Sequence, residues 1–377
     1  MITQTEQVAA LSRDRMYTDA PASNHELLVS VVIDNYNYGR FLRAAIESAL
    51  GQTYHNLEVI VVDDGSTDDS RAIIETYSDR ITAILKENGG QASALNAGFA
   101  QCHGDVVIFL DSDDLLLPDT ARRVIEAFEA NQGIAKVMYR TEIIDALGER
   151  TGVVKPAHYL PMRSGDLRRH VLAFPFDMTW MATSGNAFAA PILRQIFPIP
   201  ERVYGKVGAD WYLCHTTPLF GVVLFLHDVG AYYRVHGSNG YEVSSISLPQ
   251  IRETIRFMRD TNVYIKQFAD QLGIADRPAR PDDILSVSYI ASRVVSLKFD
   301  RLRHPIKEDR IVRLLAYGAA ATFRRFDVSL PMKLIFLLWF AAMALGPRPL
   351  AWWLAKKFFF PESRAQFNGL LEMLHHD

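Results

Sequence analysis

Asp111-Ser112-Asp113-Asp114 sets carboxylates two residues apart directly after an apolar run at 106–110. Such a pair can converge on one hard divalent cation through oxygen ligands. A cation held there can neutralise charge growing on a departing diphosphate. The same residues also suit a turn and a helix start, with Asp114 or Asp119 as the cap near Pro118. Three further polar clusters follow apolar runs: Asp34-Asn35-Tyr36-Asn37, Asp63-Asp64-Gly65-Ser66 and Glu87-Asn88-Gly89-Gly90. Asp64 can accept a hydrogen bond from a base N–H, and Tyr36 offers a flat face for stacking. Gly89-Gly90 allows close approach of backbone to a ligand. Each of these, taken singly, is equally a turn aspartate, a half-buried aromatic or a plain loop. No G-x-G-x-x-G follows the first apolar run and no G-x-x-x-x-G-K-[ST] occurs, which argues against a dinucleotide oxidoreductase and a P-loop NTPase.

These clusters need elements to hold them. The runs VSVVI at 29–33, EVIVV at 58–62, and those at 81–85 and 106–110 have strand length and are rich in β-branched residues. Between them, helical spacing over 41–50 puts Leu42, Ala45, Ile46 and Ala49 on one face. A second helix runs through Ile73, Ile74 and Tyr77, and a third spans about 91–100. Continuous apolar strands alternating with helices predict an α/β fold with a mostly parallel central sheet flanked by helices. In such sheets ligands bind beyond the carboxyl ends of the strands, and all four polar clusters lie there.

The chain has 377 residues, 49% hydrophobic and 22% charged, with a formal charge of −3 that suggests no nucleic-acid partner. From Arg293 to Lys357, 13 Lys/Arg face 4 Asp/Glu, so this segment carries +9 and the remainder −12. Cys102 and Cys214 show no zinc spacing and no disulfide framework, as in a reduced cytoplasmic protein. Residues 1–26 read as a loose polar leader without a signal-peptide core. Residues 27–245 read as the catalytic domain and 246–377 as a helical C-terminal region. There Ile251, Ile255 and Met258 form a stripe, and Pro281-Asp282-Asp283 starts a helix continuing through Ile284, Val287, Ala291, Val294 and Leu297. The uncharged run at 334–345 is too short for a membrane span, which takes roughly 20 apolar residues. With Lys333, Arg348, Lys356, Lys357, Trp352-Trp353 and Phe358-Phe359-Phe360 around it, it reads either as an element lying on an anionic membrane or as a buried helix hairpin.

The stretches VVIDNYNYGRFL, LEVIVVDDGSTDDS, NGGQASALNAG and FLDSDD together resemble family 2 glycosyltransferases of the GT-A fold, over roughly 29–239. The resemblance implies a nucleoside diphosphate sugar as donor, UDP by family habit, with Mn2+ or Mg2+ and inversion at the anomeric centre. It implies that Asp34, Tyr36 and Asp64 hold the nucleoside and that Asn88 and Gln91 line the donor pocket. Asp111 and Ser112 then lie near the ribose or sugar, and Asp113 ligates the metal. SGNAF, containing Asn186, resembles the family's acceptor-side segment, and GADW resembles the segment carrying the catalytic base. Asp34-Asn35 stands where Pro-Thr is more usual, and Ala209 where the first of two acids is common, which leaves Asp210 as the base. YRVH resembles a motif whose histidine, here His236, gives a further metal or diphosphate contact; a structural histidine is the alternative. Trp211 and Trp180 can stack on a sugar ring or pack in the core.

The expected function is an inverting, metal-dependent transfer to a glycan or lipid-linked acceptor by a cytoplasmic protein in peripheral contact with the membrane through 293–358. A catalytically silent scaffold and a processive polysaccharide synthase are the alternatives. Against the synthase, no Q-x-x-R-W follows Asp210 and no run of spanning length is present. A nucleotidyltransferase would use a similar metal site without a base at Asp210.

Overall fold

The computed structural model describes residues 26–158, 160, 162–205, 208–237, 239, 247–275 and 284–359. Residues 1–25 of the expected leader, the boundary at 245, the helix start at Pro281-Asp282-Asp283, and Phe360 lie outside the described residues.

Among the described residues nine strands form one sheet. They are β1 (Val29–Asn35), β2 (Leu57–Asp64), β3 (Thr82–Lys86), β4 (Val106–Asp111), β5 (Leu115–Leu116), β6 (Ile134–Ile144), β7 (Arg150–Lys155), β8 (Asn186–Ala189) and β9 (Val222–Arg234). Their order is β3-β2-β1-β4-β8-β6-β9-β5, with β7 paired to β6. β1, β2, β3 and β4 are mutually parallel where they pair, and β9 is parallel to β6. β8 runs antiparallel between β4 and β6, so six strands share one direction while β5, β7 and β8 oppose it. The expected mostly parallel α/β sheet is present, extended by β6 and β9, which the apolar-run pattern did not locate.

Helices α1 (Gly39–Leu50), α2 (Ser70–Glu75), α3 (Gln91–Phe99) and α4 (Thr120–Ala130) connect the strands. Alternate strand residues enter two cores. Val31, Ile33, Val59 and Val61 pack with Leu42 and Ile46 of α1, whereas Val32, Ile60 and Val62 pack with Ala92 and Leu95 of α3. Burial on both faces is why these strands read as continuous apolar runs.

The α3-side core continues into the C-terminal helices α6 (Leu248–Gln271), α7 (Val287–Phe299), α8 (Ile311–Arg324), α9 (Leu330–Leu345) and α10 (Arg348–Phe359), and takes in α5 (Ala209–Thr216). The stripe Ile251, Ile255, Met258 is buried in α6. α7 begins at Val287, where Ser286 caps it by accepting from the Tyr289 amide. Asp177, from the loop before β8, accepts from Ser286 Oγ at 2.9 Å and from the amides of Val287 and Ser288 at 2.8 Å each, which anchors α7 to that loop. Among the described residues no helix is long and apolar enough to cross a membrane.

Candidate active site

The strands end inside the polar clusters rather than before them. β1 runs through Asp34, β2 through Asp64 and β4 through Asp111, so the sheet ladder places the carboxylates. Asp34 lies in register with Asp111 on one side and Val62 on the other. Burial, followed by the nearby charge of Asp113, pushes the Asp34 carboxyl up to about 7. Burial and then the charges of Asp34, Asp114, Asp113 and Asp210 hold Asp111 well above the usual carboxylate range. Asp114 is raised as well, by burial and Asp113. Among the described residues, Asp34 Oδ1, Ser112 Oγ and Asp114 Oδ2 find no hydrogen-bond partner.

The loop after β2 is built around two aspartates. Asp63 accepts from Ser66 N at 3.1 Å, Asn35 Nδ2 at 3.1 Å and Arg71 Nε at 2.8 Å, fastening the β1 and β2 loops together. Asp64 accepts from Lys86 Nζ at 2.6 Å, Gly89 N at 2.9 Å and Gly90 N at 2.6 Å. A carboxylate has about four acceptor positions, and three of those of Asp64 are filled in shaping the Asn88-Gly89-Gly90 loop. Tyr36 and Asn88 are exposed at the rim, and Gln91 Nε2 donates to Asp111 Oδ1 at 3.2 Å.

Asp113 and His236, 123 residues apart, meet with Oδ2 and Nε2 at 2.9 Å. The imidazole sits between Tyr38 and Phe41, with Arg40 Nη2 3.4 Å from Nδ1. With Arg40 donating to Nδ1, the proton lies on Nε2 and His236 orients the Asp113 carboxylate; in the other tautomer, with the proton on Nδ1, Nε2 is available as a ligand. Arg234 donates through Nε to the Asp113 carbonyl and through its amide to Asp114 Oδ1, both at 2.8 Å. It is a positioning residue that sequence reasoning missed, although it stands within the quoted YRVH.

A divalent cation fits this place. The donor set is carboxylate plus imidazole, and buried carboxylate oxygens nearby lack partners. Asp113 would hold the ion, joined by His236. Among the described residues no group of three His, Cys, Asp or Glu could hold one.

Asp210 lies in the first turn of α5, behind Gly208, whose φ of 90° makes the entry into the helix. Its Oδ1 accepts from the Trp211 amide at 2.7 Å. Burial raises the Asp210 carboxyl, opposed by that amide and by Lys136. Lys136 on β6 is fully buried, with Nζ 3.1 Å from Cys214 Sγ and 4.5 Å from the Trp180 ring centroid. Sequence reasoning passed over it; the signal was a lone lysine inside the apolar run IAKVMY. Trp211 stacks on Phe176 at 5.7 Å and on His215 at 4.3 Å. The indole N–H groups of Trp180 and Trp211 are buried without partners. Burial pushes His215 down to about 3, and its Nδ1 donates to the Trp211 carbonyl at 2.7 Å.

Asn186 is brought near but not into the open. It is fully buried, and its amide donates to the carbonyls of Met181, Ala182 and Thr183 at 3.2, 2.5 and 3.3 Å. That leaves it to hold the 181–183 loop rather than to touch a ligand.

Residues 30–181 match the family model described as Glycosyl transferase family 2. An uncharacterized glycosyltransferase of Nostoc sp. is 36% identical over 254 residues, covering 66% of this chain and 78% of that protein. One of Rickettsia typhi is 40% identical over 227 residues, covering 60% and 69%. Among solved structures, S. aureus TarS 1–349 matches with a TM-score of 0.53 at 16% identity, covering 84% of this chain and 90% of that one. The same TarS segment has also been solved with UDP and with UDP-GlcNAc. At this identity the likeness bears on the fold, which is GT-A.

Proposed function

The chain belongs to glycosyl transferase family 2, and we propose that it is an inverting, metal-dependent transferase moving a sugar from a nucleoside diphosphate sugar to a hydroxyl of a glycan or lipid-linked acceptor. The observation that carries this reading is the gathering of Asp34, Asp64, Asp111 and Asp113 at the ends of three parallel strands, with Asp210 close enough for its charge to raise Asp111. UDP is the favoured nucleotide, supported by the UDP and UDP-GlcNAc complexes of TarS.

Tyr36 stacks on the base at the rim, while Asp34 and the remaining acceptor position of Asp64 take nucleoside donors. Asn88 and Gln91 line the donor pocket, and Asp111 and Ser112 face the ribose and sugar. Asp113, oriented or joined by His236, would hold Mn2+ or Mg2+, which when bound would neutralise charge on the diphosphate. Asp210 accepts the proton of the acceptor hydroxyl. The hydroxyl oxygen bonds to the anomeric carbon as the bond to the diphosphate oxygen breaks, on the opposite face, so configuration inverts. The proton ends on Asp210 and the electron pair on the departing nucleoside diphosphate. Trp211 borders the acceptor side.

The test is a donor screen with purified protein and Mn2+ or Mg2+, reading release of nucleoside diphosphate and binding together. Slow hydrolysis of one donor, abolished by EDTA or Asp113→Ala, is expected. If no nucleotide sugar binds with metal present, the chain is a silent scaffold and the reading is wrong.

A further inference from the structure

Helix α9 has two faces. Met332, Phe340 and Met343 are buried against the bundle, whereas Leu330, Leu334, Leu338 and Leu345 point the other way, with Leu338 69% and Leu345 82% exposed. The helix lies between α8 and α10. α8 adds exposed Phe323. On α10, Arg348, Trp352 and Lys356 recur every four residues and so share one stripe, and all three are exposed. Between residues 310 and 359 the chain carries 8 Lys/Arg and a single acid, Asp327. That acid is withdrawn: its side chain is 2% exposed and is paired with Arg325 and Arg163. The outward surface of α8–α10 is therefore apolar and cationic, with no exposed carboxylate among the described residues.

We propose that this face docks on an anionic lipid bilayer. A water-facing helix pair ordinarily mixes charges of both signs, and a protein partner of ordinary surface composition would not require the acids to be removed. A bilayer with anionic headgroups matches both features, taking leucines at the acyl boundary and Arg/Lys at the phosphates. Trp352 and Trp353, half exposed beside Lys356, suit the headgroup level. At about 1.5 Å per residue α9 is about 24 Å long, short of the roughly 30 Å hydrocarbon core, so the helix lies on the bilayer rather than crossing it.

The α8–α9 turn is fastened to the acceptor side of the sheet. Arg163 Nη2 meets Asp327 Oδ2 at 3.0 Å, Arg325 Nη1 meets Asp177 Oδ2 at 3.6 Å, and Phe326 packs on Phe174. Asp177 precedes Trp180 by three residues. Docking thus brings the acceptor side toward the headgroups, which favours a lipid-linked acceptor. That consequence rests on the transferase reading; the docking surface does not.

The experiment is co-sedimentation of the full chain with vesicles of phosphatidylcholine alone or mixed with phosphatidylglycerol, with nucleotide-sugar binding measured in solution on the same preparations. The wild type is expected to pellet only with the anionic vesicles. Arg348→Gln with Lys356→Gln should weaken that partition by roughly thirtyfold, and Leu334→Asp with Leu338→Asp should abolish it, with thermal unfolding and donor binding unchanged. Equal recovery on neutral vesicles, no pelleting of the wild type, or aspartate variants that pellet normally would each overturn the proposal. So would a dimer in sedimentation velocity that the aspartate variants dissociate, since a second copy would then cover the face. Loss of donor binding by the wild type would instead strike the transferase reading alone.

Discussion

Lys136 Nζ stands 3.1 Å from Cys214 Sγ, and Cys214 lies one helical turn beyond Asp210 on α5. A fully buried ammonium facing only a thiol and aromatic rings is poorly compensated, and burial accordingly pushes the Lys136 amine down. What offsets this is the field of Cys214 and Asp210, and the same coupling opposes the rise of Asp210. Lys136 thereby limits how far burial raises Asp210, the proposed base. Lys136→Met, close in volume, should move the acid limb of the pH–rate profile to higher pH and lower transfer near neutrality. The loss should be smaller than the roughly hundredfold or greater loss expected of Asp210→Asn, and donor Kd should not change. An unmoved limb would show that Lys136 only fills space.

The carboxylate cluster makes a second prediction, about stability. Asp34 holds its proton up to about pH 7 in the folded protein, against about 3.9 in an unfolded chain. Between those values the native state binds more protons than the unfolded state, so stability is greatest below about pH 4 for this group and is lost as pH rises through 7, at up to about 1.4 kcal/mol per pH unit. Asp111 and Asp114 shift in the same direction. Thermal unfolding in EDTA should therefore give a midpoint that falls from pH 5 to pH 8. Asp34→Asn should flatten that slope, and saturating Mn2+ with UDP should reduce it. A midpoint that rises over this range would contradict the burial argument.

The 2.9 Å contact of Asp113 with His236 predicts a non-additive pair. Asp113→Ala should remove metal-dependent nucleotide binding. His236→Ala should weaken apparent metal affinity by about 10- to 100-fold, as expected of a partner that orients or joins the ligand. The double variant should be no worse than Asp113→Ala, because both act through one carboxylate. Calorimetric titration of Mn2+ in the presence of UDP reads all three, and full additivity would separate the two residues into different sites.

β1, β2 and β4 were legible because they are buried on both faces along most of their length, whereas the edge strand β3 is largely exposed and was read from its short apolar run alone. β6 and β9 were not legible. Lys136 and Arg140 break the first, and His227 and Asp228 break the second. Their pairing also carries register shifts at 139–141 that blur any simple period. Spacing located the polar clusters, but the pairing of Asp34 with Asp111 is a matter of register, which no local pattern specifies. Asp113 with His236 was anticipated only through resemblance, since 123 residues separate them. Asn186 differs again: its segment SGNAF resembles an acceptor-side segment, yet the side chain within it faces inward to its own loop.

The last prediction separates backbone strain from a contact that matters to the site. Gly65 has φ of 80°, and a Cβ there would lie 2.6 Å from the Asn88 amide nitrogen and 3.2 Å from Asn88 Cα. The β2 loop and the Asn88-Gly89-Gly90 loop can therefore close on each other only because residue 65 has no side chain. Gly152 has a similar φ of 73° with nothing within 4 Å of its would-be Cβ. Alanine at either position carries the left-handed penalty of about 1–2 kcal/mol. Only Gly65→Ala must also push Asn88 aside and disturb the two glycine amides that Asp64 holds. Both variants should lose thermal stability, Gly65→Ala the more. Gly65→Ala should in addition raise the donor KM at least several-fold, while Gly152→Ala leaves it unchanged. Equal donor KM in the two variants would mean that the Asn88 loop does not line the donor pocket.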